Sequence, residues 1–376
     1  MIEPFEIRVD DAVLDDLRAR LAQTRFPDQI EDTGWEYGIP VDYLRELVEY
    51  WRDTYDWRAH EARLNDLAHF RTSIDGQSIH FVHARSAHAD AFPLLLMHGW
   101  PGSIVEFLDV IPRLTDVNGG SAADAFHVVA PSLPGYGFSE STRTRGWDTW
   151  RMARAFIELM SRLGYTRYGA QGGDWGAQVA TRIGALDPTH CAAIHLNMPI
   201  ADRPEDAAPL TDDEKADLTV MQQFRREESG YAQEQGTKPQ TLGVGLNDSP
   251  AGLLAWIVEK FRTWSDCNGH PENAFTRDQL ITNVMTYWVT ESITPSMRLY
   301  WETRHAGSEP AAPDFVGVPT GVARYPKEPI RLPRAWVERR YNVTHWAHMP
   351  RGGHFAAMEQ PALFVEDVRR FFTTIR

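Results

Sequence analysis

A glycine-rich stretch, YGAQGGDWGA at residues 168–177, contains the residue of this chain that is best placed to act as a nucleophile. The spacing Gly172-x-Asp174-x-Gly176 is typical of a nucleophile elbow, although aspartate stands where serine is usual. Small residues on both sides let a strand turn sharply into a helix, so that the side chain between them is exposed at the top of a parallel sheet. The pattern alone is weak, because a glycine-rich turn that carries an acid is more often a plain loop.

An ionised carboxylate at this position suits attack on a saturated carbon better than attack on a carbonyl group. Attack on a carbonyl would give a labile anhydride, whereas attack on a strained or activated carbon gives an alkyl ester and expels a leaving group. If the leaving group is an epoxide oxygen, the developing alkoxide needs hydrogen-bond donors, which neutral tyrosines can supply. Hydrolysis of the ester then needs a base that activates water and an acid that orients the base.

One histidine, His354 in the sequence RGGHF, stands where the chain order of nucleophile, acid and histidine requires the base. It follows the last predicted strand, and the two glycines before it would let the backbone bend to present the ring. When water attacks the ester, negative charge develops on the Asp174 carboxyl group, so backbone N–H groups must lie beside it. The residue after the nucleophile, Trp175, is predicted to give one of these oxyanion-hole donors, and Trp100 in the HGWP turn is predicted to give the other.

Strands and helices alternate through most of the chain in the order that a parallel sheet requires. Apolar and alternating patterns predict strands at residues 70–73, 78–83, 92–97, 126–130, 190–197, 317–325 and 341–349. Helical periodicity predicts helices at residues 10–22, 41–52, 104–114, 149–163, 177–186 and 361–372. This alternation indicates a mostly parallel, twisted sheet flanked by crossover helices, and such folds place their sites in the turns at the strand ends.

The predicted elements divide the chain into four parts. Residues 1–65, with two amphipathic helices and several aromatic residues, are expected to form an arm that packs on the core. The α/β core is expected in two parts, residues 66–199 and residues 306–376. Between them, residues 200–305 are helical in character and rich in charge and large aromatics, and we expect them to form a lid over the carboxyl edge of the sheet.

Composition limits the classes of partner. The formal net charge of −14 argues against binding to nucleic acid or to anionic membranes, which would gain nothing from an acidic surface. No stretch of the sequence approaches the ~18 apolar residues of a membrane span, so a soluble cytoplasmic protein is expected. The two cysteines, Cys191 and Cys267, lack the spacing of a metal site or a disulfide framework, and both are expected to be buried.

Four motifs occur in order along the chain: HGWPGS at 98–103, LPGYGFS at 133–139, GGDWG at 172–176 and RGGHFAAME at 351–359. Together they resemble the epoxide hydrolases, a family with the α/β-hydrolase fold. The likeness is closer to the microsomal and juvenile-hormone branch, because the arm and the segments 228–242 and 246–266 also resemble it in order. No counterpart of the membrane-anchoring helix of animal microsomal members precedes the arm, and this favours a soluble, bacterial-type member.

The resemblance implies an enzyme that adds water to a small-molecule epoxide and gives a vicinal diol, without a metal or an organic cofactor. Asp174 would form the alkyl ester, and His354 would be the general base. The donors to the epoxide oxygen would be Tyr231, in ESGY, and Tyr300, in MRLY. The plainer alternative is that each of these is one of 12 tyrosines and packs in an aromatic region.

The orienting acid is assigned by the same resemblance to Glu328 in YPKE, because the microsomal pattern has a glutamate just past a strand. Asp314, which lies before that strand, is the alternative, and Glu328 would then be a surface carboxylate beside Lys327. His98 is expected to hold the HGWP turn in shape rather than to transfer protons.

Two other functions fit part of the pattern. A haloalkane dehalogenase uses the same fold and an aspartate nucleophile, and Trp175 would then donate its indole N–H to halide; the tyrosine pair and the tryptophan of HGWPGS argue against it. A non-catalytic ligand-binding protein would have no need of the full set of side chains. Serine esterases are disfavoured because the elbow lacks Gly-x-Ser-x-Gly.

The aromatic lid favours a bulky apolar or aryl epoxide, unless its large side chains are simply core. The sequence leaves open the natural substrate, the selectivity of opening and the formation of a homo-oligomer. It also leaves open whether the reaction serves detoxification, catabolism or secondary metabolism.

Overall fold

The computed structural model describes residues 1–116, 124–306 and 314–376, and these residues form one sheet of nine strands. The strands are β1 (Ile2–Phe5), β2 (His69–Ile74), β3 (Gln77–Ala84), β4 (Phe92–Met97), β5 (Phe126–Pro131), β6 (Tyr168–Gly172), β7 (Cys191–Leu196), β8 (Val316–Arg324) and β9 (Tyr341–His348). Their order across the sheet is β1-β2-β3-β5-β4-β6-β7-β8-β9. The pairings from β1 to β5 are antiparallel, and those from β5 to β9 are parallel. The predicted mostly parallel sheet is confirmed.

Helices cover the sheet and follow its strands. In chain order they are α1 (Asp11–Ala22), α2 (Val41–Asp53), α3 (Trp57–Asn65), α4 (Ile111–Thr115), α5 (Thr149–Arg162), α6 (Asp174–Leu186), α7 (Asp212–Glu227), α8 (Gly230–Gln235), α9 (Pro239–Asp248), α10 (Pro250–Trp264), α11 (Arg277–Trp288), α12 (Ile293–His305), α13 (Arg334–Arg340), α14 (Ala356–Glu359) and α15 (Pro361–Phe372). Six of them, α7 to α12, lie between β7 and β8 in the chain. Within the three described ranges, no helix is both long and apolar enough to cross a bilayer.

Burial on both faces explains why the sequences of the central strands are nearly continuous apolar runs. Every residue of β5 is buried, and in β4 only Pro93 is partly exposed. Strands with helices on both faces have no solvent side, so they do not alternate between apolar and polar residues. Because β4 to β8 run parallel, their carboxyl ends meet at one edge of the sheet. The HGWP turn follows β4 at this edge, and the glycine elbow follows β6.

The structure differs from the predicted elements in a few places. The helix expected over 104–114 is divided into a 3-10 helix, Ile104–Phe107, and α4. Pro112 explains the break, because a proline inside a helix has no N–H to donate and clashes with the preceding turn, whereas it is tolerated in the first turn of α4. The short strand β1 and the helix α3 were not predicted, and α6 begins three residues before the predicted start, at Asp174 itself.

The amino-terminal arm contacts both the sheet and the helices between β7 and β8. β1 extends the antiparallel edge of the sheet by pairing with β2. Trp51 in α2 is buried and donates its indole N–H to the Met285 sulfur at 3.3 Å, while the Tyr50 hydroxyl donates to the Asp278 carboxylate at 2.7 Å. Both acceptors belong to α11. The boundaries between arm, core and lid stay predictions.

A buried acid joins the last helix to two strands. Asp367 in α15 accepts hydrogen bonds from His195 in β7 at 3.0 Å and from His345 in β9 at 2.9 Å. Burial alone would raise the pKa of Asp367, but the two imidazoles outweigh burial and hold the pKa of this carboxyl well below its usual range. The carboxylate therefore stabilises the folded state above the pKa that aspartate has in the unfolded chain, about 3.9, and this stabilisation is lost as pH falls toward the folded pKa.

We expect Asp367→Asn to lower the free energy of unfolding at pH 7 by about 3 kcal/mol, because it leaves one of the two imidazole N–H groups without an acceptor. The difference from the unchanged protein should persist at pH 5 and shrink below roughly pH 4, where the carboxylate is lost from the unfolded chain. Urea unfolding at these pH values measures it. The exposed neighbour Glu366 gives the control, since Glu366→Gln should change stability by less than about 0.5 kcal/mol. A similarly small effect of Asp367→Asn would contradict this account.

Candidate active site

The elbow places Asp174 at the end of β6 in a strained backbone conformation. Its φ is +47°, in the left-handed region, which for a residue with a side chain costs roughly 1–3 kcal/mol. The flanking glycines make this turn sterically feasible. A Cβ atom at Gly172 would overlap the backbone of Gly176, and one at Gly176 would overlap the carbonyl group of Met97 in β4. The Gly-x-Asp-x-Gly spacing thus reflects backbone contacts between β4, β6 and α6.

The Asp174 carboxyl group lies against the turn that follows β4. A Cβ atom at Gly99 would overlap this carboxyl group, so residue 99 must be glycine for Asp174 to keep its position. The backbone N–H of Trp100 donates to Asp174 Oδ1 at 2.8 Å. Trp175 follows in the first turn of α6, where a backbone N–H has no acceptor within the helix. Both predicted oxyanion-hole residues therefore lie next to the nucleophile, and Trp100 already donates to it.

His98 stabilises the same turn through both nitrogens of its buried ring. Its Nδ1 lies 3.0 Å from the Gly99 carbonyl oxygen, and its Nε2 lies 3.3 Å from the Leu133 backbone nitrogen, which donates to it. Burial lowers the pKa of His98 to about 4, so the ring is neutral, with a proton on Nδ1 only. Both ring nitrogens are occupied by backbone groups, as the predicted structural role requires.

His354 lies between two carboxylates. Its Nε2 is 3.5 Å from Asp174 Oδ2, and its Nδ1 is 2.8 Å from Glu328 Oε2. Burial alone would lower the pKa of His354, but the charges and hydrogen bonds of Glu328 and Asp174 outweigh it, and the pKa is raised well above its usual value. In this state of the site the imidazole carries a proton on each nitrogen.

Glu328, and not Asp314, contacts the histidine. The Glu328 side chain is buried, with 2% of its surface exposed, and its second oxygen accepts the backbone N–H of Ile330 at 3.2 Å. It is therefore not a surface carboxylate beside Lys327. Asp314 is exposed, two residues before β8, and no hydrogen bond joins it to His354 in the described chain.

The two predicted tyrosines lie over the same site. Tyr231 in α8 stacks on the Trp100 ring with centroids 5.2 Å apart, and Tyr300 in α12 meets the Trp175 ring edge-on at 4.8 Å. The two tyrosine rings are 5.9 Å apart. Burial, together with the Asp174 carboxylate, raises the pKa of both tyrosines, so each keeps its hydroxyl proton and can donate it.

The loop that carries His354 is fixed to the end of α10. The His354 backbone N–H donates to the Trp264 carbonyl oxygen at 2.9 Å, and the Gly352 N–H donates to Asp266 at 2.9 Å. Gly352 has a φ of +105°, and a Cβ atom at Gly353 would overlap the Trp264 carbonyl group, so both glycines of RGGHF are needed for this turn. The Trp264 ring also meets the His354 ring edge-on, at 5.0 Å.

Sequence reasoning missed two polar residues that line a small cavity beside Asp174 and His354. Glu106 comes from the 3-10 helix after the HGWP turn, and Gln171 comes from β6, three residues before Asp174. The sequence did hold a hint of them. In IVEF and in YGAQG, one polar side chain stands among small or apolar residues, and all residues of both runs are buried. In the described ranges, no group of three or more His, Cys, Asp or Glu residues has the geometry of a metal site.

The chain is similar to known epoxide hydrolases. Residues 2–107 match the family model described as epoxide hydrolase N terminus, and residues 93–246 match the model described as alpha/beta hydrolase fold. Epoxide hydrolase 1 of Sus scrofa is 38% identical to the chain, over 98% of this chain and 88% of its own length.

Two solved structures cover the whole of this chain. The juvenile hormone epoxide hydrolase of the silkworm Bombyx mori has a TM-score of 0.93 and 35% identity, and the match covers 95% of that chain. The epoxide hydrolase of Aspergillus niger has a TM-score of 0.90 and 32% identity, and the match covers 97% of that chain. The shared fold therefore includes the arm and the helices between β7 and β8.

The geometry around His354 predicts how its pKa responds to substitution. Glu328→Gln removes the nearer carboxylate, so burial is less opposed, and the pKa of His354 should fall. Asp314→Asn should leave it unchanged, because Asp314 lies outside the site. NMR titration of the imidazole signals measures both effects, with His354→Gln used to assign the resonance. Equal responses to the two substitutions would show that Glu328 does not control the ring.

Proposed function

Since this chain belongs to the epoxide hydrolase family, with the α/β-hydrolase fold that its sequence predicts, we propose that it converts epoxides to vicinal diols through a covalent ester on Asp174. The observation that carries the mechanism is the environment of this one carboxylate. It contacts a backbone donor, Trp100, and a buried histidine that is paired with Glu328. The hydroxyl groups of Tyr231 and Tyr300 belong to rings that pack over the same site.

In the first step an Asp174 oxygen attacks a ring carbon of the epoxide. A carbon–oxygen bond forms to the carboxylate as the carbon–oxygen bond of the strained ring breaks, and the electron pair moves to the epoxide oxygen. Tyr231 or Tyr300 gives its proton to this oxygen, while the other tyrosine stabilises it with a hydrogen bond. The products are a hydroxyalkyl ester and one tyrosinate.

In the second step water hydrolyses the ester. Esterification removes the charge of Asp174, so His354 loses one of the two carboxylates that raise its pKa. Its Nε2 proton then passes to the tyrosinate, which restores the tyrosine and leaves a neutral ring that can act as a base. Glu328 keeps the ring oriented through Nδ1, and Nε2 takes a proton from water as the water oxygen bonds to the ester carbon. The resulting oxyanion is held by the N–H groups of Trp100 and Trp175. The bond between the ester carbon and the diol oxygen then breaks, and this oxygen takes the proton from His354 as the diol leaves. The proton on the Asp174 carboxylic acid passes to His354, which restores the carboxylate and the imidazolium.

Aromatic side chains favour a bulky apolar or aryl epoxide as the substrate. Trp100, Trp175 and Trp264 surround the tyrosine pair, with ring centroids between 4.8 and 6.2 Å apart. Such rings bury large apolar area and pack well against another aromatic ring. The steps above use side chains, backbone N–H groups and water. A cytoplasmic location and a homo-oligomer stay expectations from the sequence.

The covalent step can be tested by the intact mass of His354→Gln after incubation with styrene oxide. This variant should gain the whole mass of the epoxide, because alkylation needs only Asp174 and the tyrosines, whereas ester hydrolysis should slow by more than roughly 100-fold without the base. The double variant that adds Asp174→Asn should gain no mass and serves as the control.

The same variants separate the competing chemistry. A His354→Gln protein that turns over normally would show that the base is assigned wrongly. An adduct with a haloalkane that has lost its halide, without an adduct from any of a panel of epoxides, would identify a dehalogenase instead.

The two tyrosines should act mainly in the first step. We expect Tyr231→Phe combined with Tyr300→Phe to slow alkylation by roughly 1,000-fold or more, because no donor then meets the developing alkoxide. Quenching of tryptophan fluorescence in rapid mixing follows alkylation, since three tryptophans line the site. Tyr50→Phe, which changes a tyrosine of the arm, should alkylate at the normal rate. If the double variant alkylated as fast as this control, the role of the pair would be refuted.

A further inference from the structure

A cavity of about 20 Å³ lies beside the nucleophile, below the lid tyrosines. Asp174 and His354 form part of its wall, and Glu106 and Gln171 form another part. Neither Tyr231 nor Tyr300 lines it. A volume of this size holds about one water molecule, and such a water needs two to four polar partners. The cavity therefore has the size and the polar wall of a water site, and the two tyrosines are not part of that wall.

Gln171 presents an acceptor to this cavity. Its side chain is 1% exposed, and its amide nitrogen donates to Asn197 Oδ1 at 3.2 Å. This bond sets the direction of the amide group and leaves the oxygen, Oε1, without a hydrogen-bond partner although it is buried. Leaving a buried amide oxygen without a hydrogen-bond donor is unfavourable. A water molecule in the cavity would supply the missing donor.

Glu106 presents a second polar group to the cavity. Its side chain is 9% exposed, and no hydrogen bond to its carboxyl group is found among the described residues. A Cβ atom at Gly102 would overlap Glu106 Oε1, so the glycine of HGWPGS leaves space for this carboxyl group. Burial raises the pKa of Glu106 to about 8; His354 opposes this rise, and the Asp174 and Glu359 carboxyl groups add to it. At neutral pH the group is mainly protonated and can donate a hydrogen bond.

We propose that Glu106 and Gln171 hold the water molecule that hydrolyses the Asp174 ester, a role that rests on the covalent mechanism proposed above. The water donates one hydrogen to His354 Nε2 and the other to Gln171 Oε1, and it accepts a hydrogen bond from the Glu106 hydroxyl group. Its remaining lone pair attacks the ester carbon. The first of these protons passes to His354, the new carbon–oxygen bond replaces the bond to the diol oxygen, and Glu106 is unchanged. Glu106 and Gln171 are positioning residues for the second half-reaction alone.

The test measures the two half-reactions separately in Glu106→Met and Glu106→Gln. Methionine has a similar length but no donor, so ester hydrolysis should slow by roughly 100-fold while alkylation stays within about twofold, and the ester should accumulate in the intact mass during turnover. Glutamine keeps a neutral donor at the same place and should restore most of the hydrolysis rate. Glu61→Gln, a change of a buried glutamate in the arm, is the matched control and should alter neither rate.

Gly102→Ala gives a second, independent variant if Glu106→Met does not fold. Its added methyl group displaces the Glu106 carboxyl group and should also slow hydrolysis more than alkylation. The proposal is overturned if Glu106→Met or Gly102→Ala slows alkylation and hydrolysis equally. It is also overturned if Glu106→Met hydrolyses the ester at the normal rate, or if hydrolysis in Glu106→Gln is as slow as in Glu106→Met. Failure of the mechanism itself looks different, because His354→Gln would then form no ester whatever residue stands at 106.

Discussion

The site depends on the position of one carboxylate, Asp174. Side chains larger than glycine would not fit at three positions around it. Its backbone is held in the left-handed region, and the close contacts of Gly99, Gly172 and Gly176 determine where the carboxyl group points. Strain of this kind persists only where the surrounding structure fixes it. Here the surroundings are the central strands β4 and β6, whose residues are almost all buried. Two of the most buried strands of the sheet therefore position the Asp174 carboxyl group.

The pKa values of His354 and of its neighbours also depend on how closely carboxyl groups pack around the ring. Asp174 and Glu328 are close enough to favour the imidazolium, while Glu106 and Glu359 lie nearby with pKa values raised by burial to about 8 and about 7. Of the four carboxyl groups near this one cation, the two that do not contact the ring, Glu106 and Glu359, are the ones whose pKa values are raised. Glu106 can then donate a hydrogen bond, whereas both oxygens of Glu359 accept backbone N–H groups, from Asp266 and Phe355.

Much of this site could be predicted from the sequence because its residues are tied to local backbone rules. The glycine spacing located Asp174, the order along the chain located His354, and both lie together in the structure. The family resemblance was needed for Tyr231 and Tyr300, since no local pattern distinguishes them from the other tyrosines. The same resemblance was needed to prefer Glu328 over Asp314, and the structure adds that Glu328 is buried and contacts His354.

What the sequence could not provide were relations between distant segments. The pairing of β1 with β2 joins the first residues to the sheet, and nothing in IEPF indicates that partner. Glu106 and Gln171 are 65 positions apart in the numbering, and they become a pair only because the turn after β4 and the end of β6 border one cavity. Local periodicity reports the burial of a residue but not which other residues it faces.

Helix α10 links the helices between β7 and β8 to His354. This helix contacts the arm helices α1 and α2, it has nine buried residues, and its last carbonyl group accepts the backbone N–H of His354. The Trp264 ring at the same end touches both His354 and Tyr231. Movement of α10 would therefore displace His354 directly. In α7, by contrast, only Met221 is buried, so this helix can shift with far less loss of buried apolar surface. The constraint on Asp174 thus extends through His354 and α10 to the arm.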